Sequence, residues 1–248
     1  IESTYGDRLH DATDPLRVLG EVINRTAARG GVVVIPAFAV GRAQNLMYSM
    51  HLLKQRGVIQ HIPAYLDSPM AIDATRIYHA HRDEHRLTRE QCEAMCRAAT
   101  IVNSPEESKA LSARRGPMII VSASGMATGG RVVHHLKSFA PDYRNTILFA
   151  GYQAGGTRGA AMLRGAASVR IHGTEVPVRA EVASIDGYSA HADAGEILDW
   201  LRGFGAAPAT TFVTHGEPAA ADAMRARIDH ELGWPCEVPD YLQTVDLS

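Results

Sequence analysis

Several features are scarce in this chain of 248 residues, and each scarcity excludes a class of protein. The three cysteines, Cys92, Cys96 and Cys236, are too few for the disulfide framework of a small secreted domain, which favours a reducing compartment. Basic and acidic residues nearly cancel, to a net charge of −2, so binding to a polyanion would require a local basic cleft. The chain has no signal peptide and no apolar run long enough to span a bilayer. We therefore expect a cytoplasmic protein with no membrane partner.

Hydrophobic residues make up 46% of the chain, enough for one large domain or two smaller ones. Short β-branched runs alternate with amphipathic stretches, a pattern typical of a parallel sheet covered by helices. Asp14 and Pro15 mark a helix start, and Gly30-Gly31 ends that helix before a strand at 32–35. A helix is predicted at 42–56, another begins at Ser104-Pro105 and a third near Gly130; further strands are predicted at 65–66, 101–102, 118–121, 147–149 and 169–171. The predicted fold class is therefore α/β.

Two histidines occupy similar settings late in the chain. His215 lies in Thr214-His215-Gly216-Glu217 after an apolar run, and His191 lies in Ser189-Ala190-His191-Ala192-Asp193 before a predicted helix. An imidazole at such a position projects into a crevice, where it can bind zinc or transfer a proton near neutral pH. A lone loop histidine is more often bonded to the backbone, but two such histidines indicate one active site.

Seven segments of the chain resemble, in order, the motifs of one family. They are 2–7 (ESTYGD), 36–42 (PAFAVGR), 67–71 (DSPMA), 122–126 (SASGM), 151–154 (GYQA), 189–193 (SAHAD) and 215–217 (HGE). The sequence is similar to the β-CASP subgroup of the metallo-β-lactamase-fold nucleases, which includes the mRNA 3′-end cleavage nuclease. The resemblance implies a hydrolase that cuts RNA phosphodiester bonds with two zinc ions. The implied partner is RNA, single-stranded and contacted through its backbone, and a homo-oligomer is compatible with the sequence.

The resemblance also implies a division of the chain. Residues 1–5 would end the amino-terminal half of the metallo-β-lactamase fold, residues 6–184 would form the β-CASP domain, and residues 185–248 would be the carboxy-terminal part of the metallo-β-lactamase αββα fold.

The His-x-His-x-Asp-His run that supplies most zinc ligands in this family does not occur in the chain. We therefore expect a fragment that is inactive alone and binds no stable dinuclear zinc centre. A noncatalytic nucleic-acid-binding or assembly subunit is the alternative. A Rossmann-like nucleotide-binding domain is weaker, because no Gly-x-Gly-x-x-Gly follows the first strand.

Roles for three site residues follow from the resemblance. His215 would be a zinc ligand, and Gly216 after it reduces crowding of the backbone near a metal. His191 would protonate the leaving oxygen at the scissile phosphate, and Glu2 would hydrogen-bond His191 and favour its charged form. Asp193 is open to two interpretations, a residue that orients the site or a helix N-cap.

Substrate contacts are predicted in two glycine-rich turns and at one arginine. The turn at 122–128 offers backbone N–H groups and hydroxyls to a phosphate; its candidate residues are Ser122, Ser124, Gly125 and Thr128. In the turn at 155–159, Arg158 would compensate for Ala160, where the family often has arginine. Arg42 at a helix start is the most favourable cation for a phosphate, with a surface ion pair as the alternative.

Three further groups are interpreted as structural. Asp67-Ser68-Pro69 is predicted to be a turn that leads into a helix. Cys92 and Cys96, spaced for one helix face, are expected to face the core rather than a metal. The histidines at 79, 81 and 85 are expected on a solvated helix of mixed charge rather than in a metal cluster.

Overall fold

A computed structural model describes residues 1–59 and 61–246, which form two compact units. The larger unit comprises residues 13–188, and the smaller unit combines residues 1–12 with residues 189–248. Residues 6–12 thus belong to the smaller unit, whereas the predicted β-CASP domain begins at residue 6. Two backbone contacts explain this: the Arg8 carbonyl accepts a hydrogen bond from Ala194 N at 3.1 Å, and His10 N donates to the Asp193 carboxylate at 2.8 Å.

The larger unit is built on a six-stranded sheet in the order β3-β2-β4-β1-β5-β8, in which all pairs are parallel. Its elements are α1 (Pro15–Ala28), β1 (Val32–Pro36), α2 (Arg42–Gln55), β2 (Ala64–Leu66), α3 (Pro69–Ala80), α4 (Arg89–Cys96), β3 (Thr100–Ile101), α5 (Pro105–Ala113), β4 (Met118–Ser122), α6 (Val132–Phe139), β5 (Thr146–Phe149), α7 (Arg158–Leu163), β6 (Ser168–Ile171), β7 (Thr174–Pro177), β8 (Glu181–Ser184) and a 3₁₀ helix (Asp186–Tyr188). Strands β6 and β7 form a separate antiparallel hairpin. The predicted α/β class with a parallel sheet covered by helices is confirmed.

Strand β1 shows why the sequence specifies a sheet covered on both faces. All five of its residues are buried, as expected for a central parallel strand. Because successive side chains point to opposite faces, Val33 and Ile35 join the core formed with α1, α2 and α4, whereas Val32 and Val34 join the core formed with α5, α6 and α7. The continuous apolar run therefore supplies two cores at once.

The helix starts follow the predicted capping chemistry. The Asp14 carboxylate accepts a hydrogen bond from Leu16 N at 3.0 Å, and Ser104 forms a reciprocal capping box with Glu107. Ser68 caps α3, so the turn that leads into a helix is where it was predicted. Helix α6 begins at Val132, close to the start predicted near Gly130.

The segment after α3 corrects one prediction. Helix α3 ends at Ala80 and residues 81–87 form turns, so His81 and His85 do not lie on a helix. This segment lacks the apolar periodicity that anchors a helix to a core, and local bonds replace the helical ones: Glu84 N donates to the His81 carbonyl at 3.0 Å, and His85 Nε2 lies 3.1 Å from the Tyr78 carbonyl. Cys92 is fully buried and Cys96 partly buried, as expected. Burial, with Cys92 nearby, raises the pKa of Cys96 to about 11.

Asp67 lies at the centre of a buried polar cluster behind the end of β2. One carboxylate oxygen accepts from Arg131 Nη1 at 2.6 Å, and the other lies 2.7 Å from His135 Nε2 and 2.5 Å from the Ser108 hydroxyl. Burial would raise the pKa of Asp67, but these hydrogen bonds and the charge of His135 outweigh it and hold the pKa below its usual value. The cluster joins β2, α5 and α6, which supports the structural role predicted for Asp67.

The smaller unit contains α8 (Ala194–Arg202), β9 (Thr211–Phe212), α9 (Pro218–Leu232) and β10 (Cys236–Glu237). Its core includes Leu198, Val213, Met224 and Ile228. Asp193 caps α8 through a capping box with Glu196, with both hydrogen bonds at 2.9 Å, which favours the N-cap interpretation of this residue. Within the described ranges 1–59 and 61–246, no helix combines the length and apolar character needed to cross a membrane.

Candidate functional site

The candidate site forms where the first residues of the chain pair with the segment after β9. Glu2 makes a parallel bridge with Thr214, and Thr214 N donates to the Ile1 carbonyl at 2.8 Å. This pairing places Glu2 beside His215. The Glu2 carboxylate also accepts from Ala192 N at 3.3 Å, which holds it against the loop that carries His191.

Glu2, His191 and His215 are therefore brought together, as predicted from their motifs. A Glu2 carboxylate oxygen lies 2.8 Å from His191 Nδ1 and 3.9 Å from His215 Nδ1. The two imidazole rings are stacked, with centroids 5.3 Å apart. Each ring turns Nδ1 towards Glu2, and among the described residues neither Nε2 has a hydrogen-bond partner. Both Nε2 atoms are thus free to meet a ligand.

Thr4 was not selected from the sequence, although it lies in the same motif as Glu2. Its hydroxyl lies 3.3 Å from His191 Nδ1, 3.2 Å from His215 Nδ1 and 3.1 Å from the His215 carbonyl. The side chain is buried, so these contacts are shielded from water. Thr4 links the two histidines, a role that no spacing rule indicates because threonine is common in buried strands.

His10 supports the site from behind, and sequence patterns also missed it. His10 Nε2 lies 2.9 Å from the His191 carbonyl oxygen, and the His10 ring packs edge-on against Tyr5, with centroids 4.7 Å apart. Bonding a carbonyl requires a proton on Nε2. His10 therefore holds the backbone of the loop that carries His191.

The backbone at His215 is strained. Its φ is 56°, in the left-handed region that residues other than glycine rarely adopt. The next residue must be small, because a Cβ on Gly216 would lie 2.3 Å from the Ser3 hydroxyl oxygen and 2.5 Å from the Ser3 carbonyl oxygen. Strain of this kind is often retained at functional sites.

The electrostatics of the cluster favour a charged carboxylate. Burial would raise the pKa of Glu2, but hydrogen bonds to Thr4 and His191, together with the charge of His191, outweigh it and lower the pKa. Glu2 is consequently ionised at neutral pH. An ionised carboxylate beside Nδ1 favours a proton on that nitrogen and leaves Nε2 to act towards a ligand.

The cluster consists of residue types that commonly bind zinc. Ligand atoms of Glu2, His191 and His215 all lie within 4.8 Å of one another. Imidazole nitrogen and carboxylate oxygen are common zinc donors. A carboxylate that orients an imidazole whose other nitrogen binds metal is also a frequent arrangement around zinc. His215 is the more accessible of the two histidines, with 67% of its side chain exposed against 37% for His191.

The substrate contacts predicted in the larger unit have intramolecular partners. The Arg42 guanidinium is buried and donates to the Ala150 carbonyl. Strand β4 takes in Ser122, whose buried hydroxyl donates to the Asp67 carbonyl at 2.6 Å. These contacts support structural roles for Arg42 and Ser122. Their phosphate contact stays a prediction.

The turn after β4 is more accessible than Ser122. The hydroxyls of Ser124 and Thr128 lie 3.1 Å apart. Arg158 donates through Nη1 to the carbonyls of Ala127 and Thr128, at 2.9 and 3.0 Å, so it fixes this turn. Ser124, Gly125, Thr128 and Arg158 are thus brought together in one place, and their contact with a phosphate stays a prediction.

Comparison with known protein families gives matches over most of the chain. Residues 43–162 match the Beta-Casp domain family, and residues 175–239 match the Zn-dependent metallo-hydrolase RNA specificity domain family. The α/β fold agrees with the first match, and His191 and His215 lie within the second. The chain belongs to the β-CASP group of metallo-β-lactamase-fold proteins, which confirms the resemblance found in its motifs.

Individual relatives come from bacteria and archaea. A ribonuclease of Thermus thermophilus is 41% identical over 209 residues, which cover 82% of this chain and 48% of that protein. Transcription termination factor FttA of Pyrococcus abyssi is 34% identical over 265 aligned positions, covering 100% of this chain and 40% of the factor. FttA of Methanosarcina mazei is 32% identical, and the match covers 99% of this chain and 41% of that factor. The chain thus spans less than half the length of these relatives.

Proposed function

We propose that the protein carrying this chain is a zinc-dependent hydrolase that cleaves phosphodiester bonds of RNA. The cluster of Glu2, His191 and His215 carries the proposal, because it combines metal-ligand atoms with a proton donor at one accessible place. The match to an RNA specificity domain family and the similarity to a ribonuclease support RNA as the substrate. The free cysteines support a reducing compartment, and we propose the cytoplasm.

The two histidines have different tasks in the proposed reaction. His215 would hold zinc through Nε2, since that atom has no partner among the described residues and its ring is the more exposed. Zinc, when bound, would supply Lewis acidity and an activated water. His191 would donate the proton on its Nε2 to the leaving oxygen as the bond to phosphorus breaks.

Glu2 and Thr4 would prepare His191 for this proton transfer. The Glu2 carboxylate lies 2.8 Å from His191 Nδ1, so it orients the ring and leaves Nε2 for the leaving oxygen. The Thr4 hydroxyl limits rotation of both rings. After the transfer, Nδ1 keeps its proton and its bond to Glu2, so only the Nε2 proton is consumed.

The test is a comparison of His191→Ala with His215→Ala in the natural protein that carries this chain. His215→Ala should lower both zinc content and cleavage, because it removes a metal ligand. His191→Ala should keep the zinc and lower the cleavage rate about 10²- to 10⁴-fold, the usual contribution of a positioned proton donor. Zinc is measured after dialysis, and cleavage with a single-stranded RNA.

Three results would contradict the proposal or the zinc content expected of the chain. Equal zinc loss in both variants would make His191 a ligand or a support of the metal site. A natural protein that binds RNA but does not cleave it at any zinc concentration would favour the alternative, a noncatalytic subunit of an RNA-processing complex. Close to two zinc ions on the 248-residue chain alone would contradict the expectation that this chain holds no dinuclear centre.

A further inference from the structure

Phe38 is an exposed aromatic ring at the end of a buried strand. It follows β1, whose five residues are all buried, yet 47% of Phe38 is exposed. Its own carbonyl accepts a hydrogen bond from Ala43 N at 3.1 Å, which fixes the turn between β1 and α2. An aromatic side chain of this size is usually placed in a core or an interface.

One side of the ring is packed against the backbone of Gly125. A Cβ added at Gly125 would lie 2.8 Å from Phe38 Cδ2 and 2.9 Å from Cε2, closer than carbon atoms approach without strain. Only glycine therefore allows this contact. The backbone of Gly125 supports the ring on that side and leaves the exposed part of the ring for a partner.

Gly125 is itself held in place. Gln153 Nε2 donates to the Gly125 carbonyl at 3.1 Å, and Gly159 N donates to the Met126 carbonyl at 3.2 Å. These bonds add to those that Arg158 makes to the same turn. The backbone against which the ring packs is thus fixed before any ligand binds, which reduces the entropy lost on binding.

The surroundings of the ring suit a nucleotide. The hydroxyls of Ser124 and Thr128, in the turn that supports the ring, can hydrogen-bond a phosphate or a ribose. An aromatic face beside groups that contact the sugar–phosphate backbone is the arrangement by which proteins bind single-stranded nucleic acid. Resting on the proposed function, we propose that Phe38 stacks against one base of single-stranded RNA.

The first experiment measures binding of a labelled single-stranded RNA to the chain by fluorescence anisotropy, with a chelator present to prevent cleavage. Phe38→Leu should weaken binding about 5- to 100-fold, the effect of losing one stacked base, and Phe38→Tyr should keep the affinity. Tyr143→Leu is the matched control, because Tyr143 is also an exposed aromatic of the larger unit and should not affect affinity.

The second experiment separates stacking from other contacts. RNAs with one abasic nucleotide are compared, position by position, with the intact RNA. At one position the abasic nucleotide should weaken binding as much as Phe38→Leu does. Phe38→Leu tested with that abasic RNA should show no further loss of affinity. Losses that add fully at every position would overturn the stacking role, as would unchanged affinity in Phe38→Leu.

The outcomes also distinguish this inference from the proposed function. A chain that binds RNA with no dependence on Phe38 overturns the stacking role alone. A folded chain that binds no RNA at low salt overturns both the stacking role and RNA recognition by this chain. If Phe38→Leu fails to fold, the abasic RNAs are compared with the intact RNA on wild type and on Phe38→Tyr. One abasic position that weakens binding equally in both proteins supports stacking, and the absence of such a position overturns it.

Discussion

The carboxylate of Glu2 lies 2.8 Å from Nδ1 of His191, although 189 positions separate the two residues in the chain. This contact engages Nδ1 and leaves Nε2 without a partner among the described residues, which is the arrangement that the proposed proton donor requires. The lowered pKa of Glu2 keeps the carboxylate charged through the neutral range. The pair is thus set by tertiary structure and not by local sequence.

Glu2→Gln should lower the cleavage rate less than His191→Ala, because the neutral amide still contacts Nδ1 but holds the ring less firmly than the carboxylate does. An RNA with an unusually good leaving group at the scissile phosphate should partly rescue both variants, since less protonation is then needed. It should not rescue His215→Ala. Single-turnover rates on the two substrates test this, and equal rescue of all three variants would argue against His191 as the acid.

In the natural protein that carries this chain, Thr4→Val should lower zinc affinity about 10-fold or more, because it removes the hydroxyl that contacts both imidazoles while keeping the volume of the side chain. Thr4→Ser is the control and should bind zinc as the wild type does. Zinc affinity is measured by competition with a chromophoric chelator. Equal affinities for the valine and serine variants would show that the hydroxyl has no orienting role.

His215→Gly should have a free energy of unfolding about 1 kcal/mol higher than His215→Ala in the absence of metal, because alanine keeps the unfavourable positive φ and glycine relieves it. At His191, where φ is not positive, the order should reverse, since glycine there only adds entropy to the unfolded chain. Denaturant unfolding of the four variants tests this. If the alanine variant were the more stable one at position 215 as well as at position 191, strain at His215 would be excluded.

Asp67→Asn should destabilise the larger unit by about 3–5 kcal/mol at neutral pH, because it breaks a buried charged cluster. The pKa of Asp67 in the folded chain lies below its unfolded value of 3.8. The contribution of the charged carboxylate to the free energy of unfolding is therefore complete above pH 3.8, and it is lost as the pH falls through the folded-state pKa. The difference between variant and wild type should therefore shrink below about pH 4. Unfolding is followed from pH 7 to pH 2.

Asp73→Asn serves as the control for this series. Asp73 pairs with Arg76 on an exposed helix face, so its substitution should change stability by no more than about 0.5 kcal/mol. A difference between Asp67→Asn and wild type that stays constant with pH would mean that the cluster is stabilised by packing and not by the charge of Asp67.

Arg42→Ala should lower the free energy of unfolding by about 1–3 kcal/mol, because the buried Ala150 carbonyl loses its donor. If the guanidinium also reaches a phosphate, binding to several RNAs at low salt should weaken alike. Loss of stability with unchanged affinity would assign Arg42 a structural role alone. The stability and the RNA affinity of Arg158→Ala are measured for comparison, since Arg158 lies at the accessible turn.

Local patterns were sufficient for the elements that local chemistry controls. The short, β-branched apolar runs of β1 and β4 favoured buried strands, and Asp14 and Ser104 offered side-chain oxygens to the free N–H groups of the following helices. The segment at 81–87 was harder, because charged residues form helices or turns depending on whether one face can pack against a core.

The order of the motifs was enough to select Glu2, His191 and His215, since each of these residue types can bind metal or move a proton. Their distances depended on the pairing of residues 1–4 with the segment after β9, a contact across more than 200 positions. The position of Thr4 between the two rings, the positive φ of His215 and the support of the Phe38 ring by Gly125 followed only once the chain had folded. Chemical capability belongs to the side chain, whereas orientation, strain and burial arise from packing between segments distant in sequence.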